Sequence, residues 1–170
     1  GYGAVMPDPA QKGIGNFFKN IQFPFRFVNS ALQLKFKRAG REFNRFVINT
    51  TIGLAGFMDP ATAYFNLPAP KKEDLGQTLG KYGIPSGPYI VLPFLGPSTL
   101  RDTIGMIGDG MLSPTNYLEF EENIAARSLQ VINYTAQHPT EYDALHESSL
   151  DFYSFLRDSY MQNRQKQVSE

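Results

Sequence analysis

The chain has no cysteine and no tryptophan, only two histidines, and no net charge, with sixteen basic and sixteen acidic residues among 170. Without cysteine there can be no disulfide, thiolate metal site, cysteine nucleophile or thioether-linked lipid. Balanced charge removes the global field that would gather nucleic acid or an acidic substrate, so no nucleic-acid partner is expected. No run approaches the roughly 18 apolar residues of a simple transmembrane helix. The opening "GYGAVMPDPAQ" has neither the basic start nor the apolar run of a secretory signal.

The catalytic and metal vocabulary is equally thin. His138 and His146 flank Pro139 and Thr140, and no HExxH-type spacing supplies further ligands, so no metal and no cofactor are expected. No G-x-S-x-G elbow marks a nucleophile. The acidic pairs Glu73/Asp74, Glu121/Glu122 and Glu141/Asp143 read as helix starts or solvated faces. Gly76, Gly80 and Gly83 have neither the preceding strand nor the following Lys-Ser/Thr of a phosphate loop.

What is abundant is phenylalanine: fourteen Phe beside nine Tyr, with most of the Phe in the first half. The N-terminal half is apolar and the C-terminal half polar. "KGIGNFFKNIQ" reads as a helix over 12–22 closed by Pro24, because the residue before proline avoids the helical region. A helix over 24–37 and another over 41–57 follow, and both are inverted. Arg26, Asn29 and Gln33 in the first, and Glu42, Arg45, Asn49, Gly53 and Gly56 in the second, form narrow polar stripes on otherwise apolar cylinders. An ordinary surface helix has the opposite proportion. Such helices are either deeply buried or have outer faces that meet lipid.

Asp59 and Pro60 suit the N-cap and first position of a short helix to residue 65. "PAPKKEDLGQTLG" holds a proline turn and one or two helical turns. In "GKYGIPSGPYIVLPFLGPSTLRD" four prolines and four glycines enclose Tyr89 to Leu92, which permits at most four residues of strand. Two readings fit: a buried crossing loop, or a loop that lines a passage or meets lipid. Thr99 and Asp102 have capping-box spacing at the start of a helix to residue 112. Asn116 with Glu119 opens an amphipathic helix, and Thr140 with Asp143 opens the last one, whose end over 165–170 should fray. The expected fold is all-α, about seven helices in a single domain over 1–170 with one Gly/Pro-rich apolar loop.

Arg45 and Arg101 lie in apolar neighbourhoods, where a guanidinium must find acceptors: Asp59, Asp102, backbone carbonyls or a ligand phosphate. Arg45, Asn49, Asp59, Arg101 and Asp102 are therefore the candidate residues, either on a lipid path or organising loops.

The runs "GIGNFFKNIQFPFRFVNSALQLK", "EFNRFVINTTIGLAGFMDPA", "EDLGQTLGKYGIPSGPYIVLPFLGPSTLRDTIG" and "YSFLRDSYMQNR" resemble, in matching order, the VacJ/MlaA family of outer-membrane phospholipid-binding lipoproteins. The resemblance implies a ring-like helical protein in the periplasmic leaflet of a Gram-negative outer membrane, with an amphipathic channel. It implies partners too: phospholipid, a trimeric outer-membrane porin and a soluble periplasmic lipid carrier. The function it implies is non-enzymatic removal of mislocalised phospholipid from the outer leaflet. A porin-associated scaffold or a lipid hydrolase are the alternatives. Family members carry a lipidated cysteine and a helical segment ahead of the part matching "GYGAVMPDP", so the expectation is a chain without its lipid anchor.

Overall fold

The computed structural model describes residues 6–69, 71–93, 95–137 and 151–170. Among them are eight α-helices: α1 (Asp8–Ile21), α2 (Phe23–Leu32), α3 (Phe36–Thr51), α4 (Pro60–Ala63), α5 (Leu75–Lys81), α6 (Leu100–Leu112), α7 (Phe120–Gln137) and α8 (Phe152–Ser169). One hairpin, β1 (Tyr89–Leu92) with β2 (Gly96–Thr99), and a 3₁₀ turn over Pro114–Tyr117 complete the set. The fold is mostly α, as the periodicity predicts. The chain forms two compact units, the first from 1–72 and 112–139, the second from 73–111 and 140–170.

In the first unit the expected helix over 24–37 stops at Leu32. Leu34 takes a positive φ of 60°, and α3 restarts at Phe36, five residues earlier than its polar stripe suggests. The helical spacing of the apolar residues continues through the break, so periodicity alone hides it. At the other end α3 stops at Thr51 rather than residue 57, because Leu54, Ala55 and Gly56 all lie at positive φ. Such a run cannot be helical for L-residues. Gly56 is required there: a Cβ would overlap the side chain of Asn20 in α1, whose amide donates to Thr50 Oγ1 at 2.9 Å.

Helices α2 and α3 meet through two kinds of contact. Phe23 stacks on Phe46 with centroids 4.4 Å apart. On another side the buried Arg26 pairs with the buried Glu42 at 2.9 Å. Helix α7 docks on α1, where Asn133 and Gln137 both donate to the Gln11 carbonyl at 3.0 Å.

The second unit contains the stretch between Gly80 and Asp102. It is a paired antiparallel hairpin, with Tyr89 opposite Thr99 and Leu92 opposite Gly96, so it is not a buried crossing loop. Val91 and Leu95 stand exposed on it. Pro97 is tolerated because a two-stranded hairpin leaves an edge where its missing donor matters little. Helices α5 and α6 cross at Gly76 and Gly105, so closely that a Cβ on Gly105 would strike the Gly76 backbone. The segment 165–170, read as frayed, continues the helix to Ser169, because Arg164 and Gln167 hold it by side-chain bonds.

Burial is inverted in both units. In the first, the buried hydrophobic residues among those described are Phe18, Ala39 and Ala61, whereas Arg26, Asn29, Glu42, Arg45 and Asn49 are all buried. In the second, Glu73, Gln77, Thr99, Arg101 and Asp102 are buried while Leu100, Ile104, Ile107 and Met111 are exposed. Soluble monomers rarely show contiguous apolar patches beyond a few hundred Å². No helix among the described residues is long and apolar enough to cross a membrane.

Candidate functional site: two buried polar clusters

The five candidate residues separate into two clusters, one in each unit. In the first, α3 presents Arg45 and Asn49 one turn apart, and both reach Asp59 at the start of α4. Arg45 Nη2 donates to both Asp59 oxygens at 2.9 and 2.8 Å. Its Nη1 donates to Thr62 Oγ1 at 2.8 Å and to the Leu67 carbonyl at 2.6 Å. Asn49 Nδ2 donates to Asp59 Oδ1 at 2.9 Å, and Asn49 Oδ1 accepts from the Ala61 amide at 3.0 Å. Asp59 also caps α4, accepting from the Thr62 amide. Burial of Asp59 works to raise its pKa, but hydrogen bonds from Thr62, Arg45 and Asn49 outweigh it and hold the carboxyl below its ordinary value. The arrangement ties the loop over 59–67 to α3.

In the second cluster Thr99 Oγ1 accepts from the Asp102 amide at 3.2 Å, which is one half of the expected capping box. The Asp102 side chain does not return the bond. It accepts instead from Arg101 Nε at 3.0 Å, from Tyr160 at 2.8 Å, and from Arg164 Nη2 and Nε at 2.8 and 2.9 Å. Arg164 also grips Asp74, whose other duty is to cap α5 through the Gln77 amide. Arg101 holds the approach to the hairpin: its Nη1 donates to the Ile84 carbonyl at 3.4 Å and its amide to the Ser86 carbonyl at 3.1 Å.

Asp74, Tyr160 and Arg164 were not among the candidates. Asp74 reads from sequence as a solvated acid beside Glu73, but it is ion-paired and Glu73 is buried. Tyr160 falls at helical spacing from the apolar Tyr153 and Leu156, and Arg164 stands just before the 165–170 tail expected to fray. The available signal was their spacing of four on one helix, which puts a phenol and a guanidinium on the same side. Nothing local says that the side faces Asp102, 58 and 62 positions away.

Charge in this cluster is strongly biased. Burial pushes the Asp102 carboxyl up, but hydrogen bonds from Arg164 and Tyr160 and the charges of Arg164 and Arg101 overcome it, and the pKa falls from 3.8 to about 2. Burial and the Asp102 carboxylate raise the Tyr160 phenol. Burial opposes the charged form of Arg164, yet Asp74 and Asp102 raise its pKa overall. A carboxyl depressed in the folded state stabilises the fold fully above its unfolded pKa, and that stabilisation is lost as pH falls through the folded value. Between pH 5 and pH 2 the wild type should therefore lose about 2 kcal/mol more unfolding free energy than Asp102→Asn. Denaturant titrations at the two pH values check it; equal slopes would show that Asp102 is not held in its charged form by the fold.

Among the described residues no group of three or more His, Cys, Asp or Glu is placed to hold a metal ion. His138 and His146, and the expected cap at Thr140 and Asp143, lie outside the described residues. Neither cluster contains a serine–histidine or comparable nucleophile–base pair. What each does is hold a loop or hairpin against a helix through buried charge.

Three comparisons bear on this architecture. The MlaA lipoprotein family matches residues 1–167. The chain is 36% identical over 158 residues to the intermembrane phospholipid transport system lipoprotein MlaA of Escherichia coli strain K12, an alignment covering 92% of this chain and 62% of that protein. It is 31% identical over 172 residues to the lipoprotein of the same name from Haemophilus influenzae, covering 100% of this chain and 68% of the relative. The chain thus spans less than two thirds of the E. coli protein. A solved structure concerned with the structural basis for maintenance of bacterial outer membrane lipid asymmetry superposes with a TM-score of 0.84 at 33% identity, over 97% of this chain and 83% of that one.

Proposed function

Because the chain belongs to the MlaA lipoprotein family, we propose that it is a non-enzymatic phospholipid conduit of an outer membrane. It removes mislocalised phospholipid from the outer leaflet and passes it to a soluble periplasmic carrier. The relatives are named as transport-system lipoproteins, which fits a role without bond chemistry. The observation that carries the reading is the inverted burial: charged and amide side chains inside, Phe, Leu, Ile and Met outside.

The physical logic follows from the cargo. A phospholipid headgroup leaving water for an apolar layer faces a desolvation penalty of at least several kcal/mol, since buried polar groups need partners. A passage lined by polar groups supplies those partners, while an apolar exterior sits in acyl chains at no cost in exposed hydrophobic surface. The ring-like arrangement, seating in the periplasmic leaflet and docking on a trimeric porin all belong to this proposal. Direction comes from partners with higher affinity for the lipid, because a passage alone only equilibrates.

Within this reading the five candidate residues are organisers of the conduit's loops. Arg45, Asn49 and Asp59 spend their polar atoms on one another and on the loop over 59–67, and Arg101 and Asp102 on the hairpin approach and α8. Asn49→Leu should therefore lower stability by roughly 1–3 kcal/mol, the penalty for leaving buried partners unsatisfied. Lipid transport should decline only as folded protein declines. Normal stability with abolished transport would put Asn49 on the lipid path instead.

The outer face supplies the test of the function itself. Phe43, Val47, Ile48, Phe65 and Leu67 line an open apolar groove of about 340 Å³. Phe43→Asp with Val47→Asp alters side chains already exposed, so helix content should persist. Binding to phospholipid vesicles should weaken at least about tenfold, since each apolar side chain withdrawn from lipid forfeits more than 1 kcal/mol. Mass spectrometry of lipid extracts should find intact phospholipid with the parent chain and little with the variant. Fatty acid released in place of intact lipid would favour a hydrolase, and no bound lipid from either protein would leave a scaffold.

A further inference from the structure

The charge balance of the whole chain conceals a strong local bias. Between Asp8 and Glu42 there is no acidic residue, and Lys12, Lys19, Arg26, Lys35, Lys37, Arg38 and Arg41 make seven basic ones. Arg26 is committed to Glu42 inside the unit. Four of the others come together at the break between α2 and α3. There Leu34, Lys35, Phe36, Lys37, Arg38 and Arg41 line an open groove of about 600 Å³. Leu34 is 70% exposed and Phe36 67% exposed. The positive φ of Leu34 turns the chain sharply at this point, so the two apolar side chains stand among the cations.

This pairing has a definite chemical complement. Lysine and arginine can lay their methylene stems along apolar surface while their heads reach upward, and an exposed Leu and Phe gain by entering an acyl layer. The first turn of α3, which opens at Phe36, adds partial positive charge at the same place. A soluble anion would meet the positive charge and leave Leu34 and Phe36 in water. An anionic phospholipid supplies phosphate and acyl chain in one molecule.

We propose that the turn joining α2 and α3, with Lys35, Lys37, Arg38 and Arg41 around Leu34 and Phe36, is a docking point for the headgroups of anionic phospholipids at a membrane surface. The site differs from the buried clusters and from the apolar groove at Phe43. It does not rest on the conduit reading, because it is measured by surface binding without transport.

The test compares vesicles of phosphatidylcholine with vesicles of phosphatidylcholine and phosphatidylglycerol in equal parts, using the whole chain. Each cation near an anionic surface contributes about fivefold in affinity. Lys37→Gln with Arg41→Gln should thus bind the anionic vesicles roughly thirtyfold more weakly, and bind phosphatidylcholine as the parent does. Both side chains are exposed, and unchanged circular dichroism confirms the fold. Removing equal charge from the other unit, by Lys81→Gln with Lys166→Gln, should have little effect. Phe36→Ser should weaken binding to both vesicle types, by about tenfold. Raising salt should shrink the preference for anionic vesicles, since exposed charges are screened. A parent chain with no preference for anionic vesicles, an undiminished preference in the Lys37/Arg41 variant, or an equal loss in the Lys81/Lys166 variant would each overturn the proposal.

Discussion

Asp102→Ala is expected to destabilise the second unit by about 3–5 kcal/mol, the range for breaking a buried charge network by removing one member. Asp102 is buried and takes bonds from Arg101, Tyr160 and Arg164. Its loss leaves the Arg101 guanidinium without its carboxylate and Arg164 with Asp74 as its one remaining carboxylate partner. Against a domain stability of about 5–15 kcal/mol this is a large fraction. Hydrogen exchange should accelerate along α8 and the hairpin, because Asp102 is the common acceptor for groups from both ends of the unit. Asp102→Asn keeps the shape but not the charge, and should cost less than alanine. An alanine variant that unfolds within 1 kcal/mol of the parent would show that water solvates the network and that packing holds the unit.

Arg45→Ala has the second-largest expected effect, about 2–3 kcal/mol, reduced from the fully buried case because the Asp59 side chain keeps 28% of its surface in water. Four acceptor atoms lose the charged donor: both Asp59 oxygens, Thr62 Oγ1 and the Leu67 carbonyl, with Asp59 left to Asn49 and Thr62. The amides of Ala61 and Thr62 should exchange faster, since the guanidinium holds Asp59, the acceptor of the Thr62 amide, and Asp59 in turn holds Asn49, the acceptor of the Ala61 amide. Arg45→Lys should recover little, because an ammonium cannot bridge two carboxylate oxygens and a carbonyl in one plane. Full recovery by lysine would reduce the cluster to simple charge pairing.

Inverted amphipathicity was legible in the sequence because it is a local property. Glu42, Arg45 and Asn49 fall at spacings of three and four, and helix geometry alone puts them on one stripe; the same arithmetic leaves Phe43 and Val47 on the other face, where the structure has them exposed. The Asp59–Pro60 helix start was legible for a similar reason, since a cap and its helix lie within a few residues. Helix ends at Leu32 and Thr51 were not, because Leu34, Leu54 and Ala55 take positive φ although none of them is the glycine or asparagine that normally announces a left-handed helix end.

The hairpin shows the same division. Composition limited Tyr89–Leu92 to four residues of strand, but its partner could be identified only once the chain had folded back over Gly96. The helical class, the want of catalytic and metal-binding groups in recognisable spacing, the polar stripes and the family resemblance were all readable before folding, because each depends on residue type and short spacing. Packing was needed to bring Arg164 and Tyr160 to the Asp102 cluster and to gather four cations around Leu34 and Phe36. The physical reason is that a buried charge takes whatever acceptor the packed helices bring within 3 Å, and a turn exposes whatever its dihedral angles point outward. Neither is encoded in the spacing of the residues concerned.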